Sequence, residues 1–371
     1  MSFTEEQKLL QQVVREFTQN EIRPRMKEIL NSTGFIPRDL YKRCGELGFF
    51  RMLVPEEFGG LGQGLTEACI VHEELSKEAP VLGLIVMCSM SIPMFLLASK
   101  SATEKYLEGA MNGDLVMSAG ATAPEGHTNV TEWATLAKKD GDDWILNGTK
   151  LFVTNNIVAD VHVALGLDEN KEMKAFFFEG NAPGFEHSVA ENKFGMKGSG
   201  GGTATYKNVR VPSDMVCSAG IGDTSIYYYA YIFAATIALG AAEGCLEKAI
   251  EWAKNRTANF KPLSSMQAVA QKLAKLKSMV VVANSVVYDA AALYANPETI
   301  NEACLKSQIC KAYVTELAEE VTRECIKLFG GMGYHSSEYY HYMSDVMATI
   351  IMDLPTEYHY GGIAKLMGLD H

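Results

Sequence analysis

The sequence has no Cys-x-x-Cys pair, no excess of positive charge, no internal repeat and no low-complexity linker. Each absence excludes something. The eight cysteines (Cys44, Cys69, Cys88, Cys217, Cys245, Cys304, Cys310 and Cys325) lie scattered, several in apolar helical context such as Cys88 in LIVMCSM. Buried free thiols are therefore expected rather than disulfides or a metal site, in a reducing compartment. Lys and Arg number 33 against 45 Asp and Glu, a net charge of −12. Phosphate binding needs clustered cations, so nucleic acid is not an expected partner. The opening MSFTEEQKLL lacks the basic and apolar regions of a signal peptide. No uninterrupted apolar run approaches the roughly 20 residues of a membrane span. The expected address is the cytoplasm, with no membrane span.

What is present is ordinary for a globular protein: 47% hydrophobic and 21% charged residues in a chain of 371. That length suggests two or three domains. Residues 1–115 read as helices. Apolar positions at Leu9, Leu10, Val13, Val14, Phe17, Ile22 and Met26 recur three and four apart, predicting an amphipathic helix over 4–30 with Thr4 as its cap. Further helices are predicted at 37–47, 65–77 and 81–97, with a glycine-rich turn at PEEFGGLG (55–62). Residues 116–222 change character. Asn147-Gly148 between β-prone runs predicts a hairpin, and strands are expected at 160–167, 173–179 and 203–211. From 223 to 371 three helices of about 30 residues (224–255, 263–294, 299–330) predict an antiparallel bundle, where the small residues of ATIALGAAEG let two backbones approach. The expected fold is α+β: a helical domain, an antiparallel β-barrel or sandwich, and a helical bundle.

Several motifs are more specific. SFTEEQKLLQQVVREF and VPEEFGGLG come first, then ATAPEGHTNVTEWATLA, NGTKLFVTN, ENKFGMKGS and YKNVRVP. NRTANFKPLSSMQ, LFGGMGY and IIMDLPTEYHYGGIAKLMG follow. In this order and spacing they resemble the acyl-CoA dehydrogenases along essentially the whole chain. The resemblance implies an FAD-dependent oxidoreductase that removes hydrogen across the α,β bond of an acyl thioester and passes electrons to an electron-transfer flavoprotein. It also implies a homo-oligomer, a dimer or the family's usual tetramer.

Carried onto this sequence, the resemblance places Ala119, Ala121 and Thr122 along a flavin edge and Thr128 on the pyrophosphate. Phe152 would pack on the ring and Thr154 would bond near N5. Arg256, Gln267, Gly330 and Gly331 would reach the far end of FAD across a subunit interface. Read without the family, the threonines are strand residues, Arg256 a solvated helix-end cation, and the glycines a helix terminator. The base is expected at Asp353, where the family carries glutamate, or else Asp353 is a turn aspartate before Pro355. Aspartate is one methylene shorter, about 1.5 Å, a displacement that can cost about a hundredfold if uncorrected. Pro355 and Leu354 replace a threonine and a glycine, and His127 and Asn129 alter the phosphate loop. Tyr228 and Tyr231 stand where the family has aspartate and arginine facing CoA. With Ser199 they are the candidate substrate contacts, unless the tyrosines are core packing. An enoyl reductase, a dehydrogenase of carrier-protein-bound acyl groups, a nitroalkane-oxidase-like oxidase and an inactive scaffold are the alternatives.

Overall fold

The chain enters its first helix through a capping box. Thr4 Oγ1 accepts from Gln7 N at 3.2 Å, and the Gln7 side-chain carbonyl accepts from Thr4 N at 3.0 Å. Two donors that a helix start leaves free are thereby satisfied. A computed structural model describes residues 3–126, 132–189, 193–219, 225–258 and 260–369. Its first helices are α1 (Glu5–Phe17), α2 (Met26–Leu30), α3 (Arg38–Glu46), α4 (Leu65–Ser76), α5 (Pro80–Ser91), α6 (Pro93–Leu96) and α7 (Lys100–Met111). The stretch 4–30 is not the single helix expected. A π-turn at Thr18–Ile22 and a 3-10 turn at Arg23–Arg25 separate α1 from α2, because Pro24 has no amide hydrogen to continue the ladder.

Among the described residues eight strands follow: β1 (Met117–Gly120), β2 (Leu136–Asp140), β3 (Asp143–Val153), β4 (Val161–Leu167), β5 (Met173–Glu179), β6 (Phe185–Val189), β7 (Gly202–Pro212) and β8 (Val216–Ser218). They form one sheet in the order β6-β7-β3-β2-β4-β5-β8, with β1 beside β4. Most pairings are antiparallel, but β1 and β2 run parallel to β4. The chain between each pair is long enough to make the crossover that parallel pairing needs.

The hairpin turn is not at Asn147-Gly148. Asp140 pairs with Asp143, so the turn is Gly141-Asp142, with Gly141 at φ 61. Gly148 sits inside β3, at a register shift against β7. Its φ is 145, and a Cβ there would lie 2.5 Å from Thr135 Cα. The glycine serves a bulge and a close backbone approach, a demand set by a distant strand that the local Asn-Gly pair does not reveal.

The last layer holds α8 (Ser225–Asn255), the short ribbon β9 (Thr257–Ala258) and β10 (Lys261–Pro262), then α9 (Gln267–Leu293), α10 (Ile300–Ile309), α11 (Thr315–Phe329), α12 (Gly331–His335), α13 (Ser337–Ile351) and α14 (Thr356–Leu366). The helix expected over 299–330 is interrupted by a π-turn, Cys310–Val314. Turns of this kind often mark functional places. The close approach expected of ATIALGAAEG occurs between α8 and α4: a Cβ on Gly240 would lie 2.4 Å from Glu73 O, and one on Gly244 1.8 Å from Lys77 O.

Among the described residues two helices, Tyr228–Asn255 and Gln267–Leu293, are long and apolar enough to cross a membrane by length and composition, where no span was expected. Of the first one's apolar window, 83% is buried inside the fold, as in a core helix; of the second's, 39%. One apolar cluster joins the first helices to the bundle, and a second lies between α5–α7 and the sheet; Cys88 on α5 packs against both. The candidate site lies at that junction.

Candidate active site

Between α13 and α14 the chain makes a strained turn. Asp353 has φ 52 and Leu354 φ 75, a left-handed conformation that costs an L-residue about 1–2 kcal/mol. Such strain persists only where the surroundings hold it. Lys311 Nζ, on the π-turn, donates to Ile350 O at 3.0 Å and to Leu354 O at 3.1 Å. His359 Nε2 bonds Asp353 O at 3.1 Å. Burial and the nearby Lys311 push the His359 ring down to about 4, so it is a neutral imidazole donating from Nε2 to the carbonyl. Both Lys311 and His359 are fully buried.

The Asp353 side chain is exceptional among the described carboxylates. Its Oδ2 is sealed from solvent and has no hydrogen-bond partner. Burial pushes its pKa above the usual carboxylate range, and the Lys311 ammonium partly offsets this. The same burial pushes Lys311 down to about 8, against the pull of Asp353 and Glu316. A carboxylate partly withdrawn from water, with a raised pKa, is suited to accept a proton.

Two other layers reach the same place. The half-buried Cys88 thiol lies against Thr154 and feels the Asp353 charge; burial above all pushes it to about 12. Thr154 follows β3, and two residues earlier Phe152 stands at φ 57 with 81% of its surface exposed. A large aromatic held in a left-handed conformation with its ring bare is a displayed surface. Thr122 O accepts from Leu151 N at 2.8 Å and Ala121 O from Lys150 Nζ at 2.8 Å. Ala121 and Thr122, just past Ala119 on β1, therefore lie against the part of β3 that leads to Phe152. On the bundle side, the Tyr231 ring meets His359 edge-on at 4.5 Å, and Tyr228 meets Tyr231 at 5.4 Å. The tyrosine wall stands directly behind the Asp353 turn.

Arg256, Gln267, Gly330 and Gly331 are elsewhere. Tyr231 lies near the start of α8 and Arg256 just past its end, roughly 37 Å apart at about 1.5 Å per residue. Trp252 packs on Phe329 at 5.9 Å, so Gly330 shares that far end. A Cβ on Gly330 or Gly331 would meet nothing within 4 Å, which leaves an open backbone surface. A single chain does not bring these four residues to the Asp353 turn. Ser199 is buried, and its hydroxyl is bonded to Lys193 Nζ. Thr128 lies outside the described residues. Lys311, His359 and Cys88 were not among the expected site residues. The signal available for Lys311 was a lone cation in the apolar run QICKAYV.

The chain matches the family models for the acyl-CoA dehydrogenase N-terminal domain over residues 4–114, the middle domain over 118–209 and the C-terminal domain over 232–368. It is 30% identical to the short-chain specific acyl-CoA dehydrogenase of Clostridium acetobutylicum over 346 residues, 90% of each chain. It is 28% identical to the 3-(aryl)acrylate reductase of Clostridium sporogenes over 345 residues, again 90% of each. The butyryl-CoA dehydrogenase of Megasphaera elsdenii has a similar structure, with a TM-score of 0.89, 26% identity and 99% of each chain covered.

Proposed function

The chain belongs to the acyl-CoA dehydrogenase family of flavoprotein oxidoreductases, and from that premise we propose that it is an FAD-dependent enzyme acting on the α,β carbon–carbon bond of an acyl-CoA. One observation carries the reading: the Asp353 carboxyl is raised in pKa by burial and unpartnered at a sealed Oδ2, with the Cys88 thiol close enough to feel its charge. The residues present fit the cofactor. Phe152 offers a bare ring face, Thr154 a hydroxyl, and Ala119, Ala121 and Thr122 a backbone edge; the family resemblance adds Thr128, outside the described residues.

When bound, the flavin supplies the acceptor for the hydride leaving the substrate β-carbon. Asp353 takes the α-proton onto its carboxylate, and the partial exclusion of water raises its basicity for that task. Tyr228 and Tyr231 line the substrate's path in place of charged contacts to CoA, with Ser199 a further contact. Arg256, Gln267, Gly330 and Gly331 serve the cofactor of a second copy, since roughly 37 Å along α8 is beyond the reach of one dinucleotide. The enzyme is accordingly a homo-oligomer, a dimer or a tetramer. Its electrons go to an electron-transfer flavoprotein in the cytoplasm. The same groups can run in reverse, Asp353 then donating the proton, and the likeness to an arylacrylate reductase favours keeping that direction in the assay.

The test is Asp353→Asn in the full-length, FAD-loaded protein. The variant should keep the visible flavin spectrum while anaerobic bleaching by a panel of acyl-CoAs falls about 10²–10⁴-fold. Undiminished bleaching would remove Asp353 from the reaction.

A further inference from the structure

Lys311 is a fully buried cation. Removing an ammonium from water costs several kcal/mol even after relaxation, and the carbonyls of Ile350 and Leu354 are neutral partners. Its position on the Cys310–Val314 π-turn sets it directly behind the Asp353 turn. The two carbonyls it grips bracket Asp353, one three residues before the carboxylate and one immediately after it. His359, from α14, holds the carbonyl of Asp353 itself.

The charged and titratable groups around the pair come from every element packed there. Glu316 from α11, Asp353 from the turn and His359 from α14 face Lys311, and Cys88 from α5 faces Asp353. Lys311 reaches Asp353 through its field rather than through a hydrogen bond. Its grip leaves the carboxylate free to meet a substrate.

We propose that Lys311 is a positioning residue for Asp353: it ties the carbonyls on either side of the carboxylate, holding the left-handed turn, and its charge favours the ionised base. Burial alone drives a carboxyl toward its neutral form, in which it cannot take a proton; an opposing charge nearby lowers the pKa again by about 1–3 units. Lys311 thus sets how far the base is raised, while bonding the backbone of the turn and not the carboxylate. The inference rests on the reading of Asp353 as base.

The experiment compares Lys311→Gln, Lys311→Met and Lys311→Arg in the FAD-loaded enzyme. Titration of the Asp353 carboxyl is followed by infrared difference against Asp353→Asn, and anaerobic flavin reduction is followed across pH. Gln keeps a donor without the charge, Met removes both, and Arg keeps both. Gln and Met should raise the Asp353 midpoint by about one to three pH units, with a loss of rate of about 10- to 1000-fold at a pH below the new midpoint. Arg should restore the wild-type midpoint. A misfolded Met variant leaves the Gln comparison intact. An unmoved midpoint in Lys311→Gln, with rate falling only in step with melting temperature, overturns the proposal and leaves Lys311 a structural tether. A moved midpoint while Asp353→Asn still bleaches flavin upholds the electrostatic link and overturns the reading of Asp353 as base.

Discussion

Leucine at position 354 is the most unexpected choice in the Asp353 turn, and replacing it tests whether the turn is strained. Leu354 has φ 75 and is half-buried. Leu354→Gly removes the steric cost of the left-handed conformation, about 1–2 kcal/mol. Against that, glycine widens the unfolded ensemble at a cost of about 0.4–1 kcal/mol. Losing a half-buried leucine side chain costs on the order of 1 kcal/mol, about half the value for full burial. The terms nearly cancel, so Leu354→Gly should change unfolding free energy by no more than about 1 kcal/mol. A leucine in a relaxed, buried helix behaves differently. Leu246 in α8 is 1% exposed, and Leu246→Gly should cost about 3–6 kcal/mol, from the cavity plus the loss of helix propensity. Leu354→Val should be worse than Leu354→Gly, because a branched Cβ is least tolerant of positive φ. The assay is denaturant unfolding followed by circular dichroism at one protein concentration, since oligomers melt at concentration-dependent midpoints. If Val proves more stable than Gly at 354, the turn is not strained and the reasoning is wrong.

The rate of flavin reduction should depend on an ionised group whose pKa lies above the ordinary carboxylate value of about 3.9. On the proposed reading Asp353 acts as its anion, and burial raises its pKa, so activity should be lost as pH falls through that raised value; a limb at or below about 3.9 in wild type would contradict this. At the α4–α8 crossing, a methyl on Gly244 would sit 1.8 Å from Lys77 O. Gly244→Ala should therefore push the helices apart and cost about 1–3 kcal/mol, read by the same unfolding assay, whereas an unchanged midpoint would mean that the helices already tolerate a wider spacing.

Much of the architecture is legible in the order of residues. The 3–4 spacing of apolar residues announces the helices, β-branched residues announce β4 and β7, and the Phe176–Phe178 run announces β5. The three-layer order follows from these. Position-specific demands are less legible. Asn147-Gly148 carries the local chemistry of a hairpin, yet Gly148 is a glycine because the Thr135 backbone passes close by. Spacing runs on smoothly through 4–30 and 299–330, but the hydrogen-bond ladder changes at Thr18–Ile22 and Cys310–Val314.

By itself, the sequence determined the chain's family, its order of layers and the one carboxylate worth testing, because these depend on motifs and periodicities that are continuous along the chain. The tertiary structure decided the environment of that carboxylate. Cys88, Thr154, Lys311 and Asp353 come from four separate stretches and meet only after folding, when burial makes one thiol inert, one lysine easier to deprotonate and one aspartate harder to ionise. Desolvation and strain belong to the packed arrangement of many residues, so no single residue type carries them.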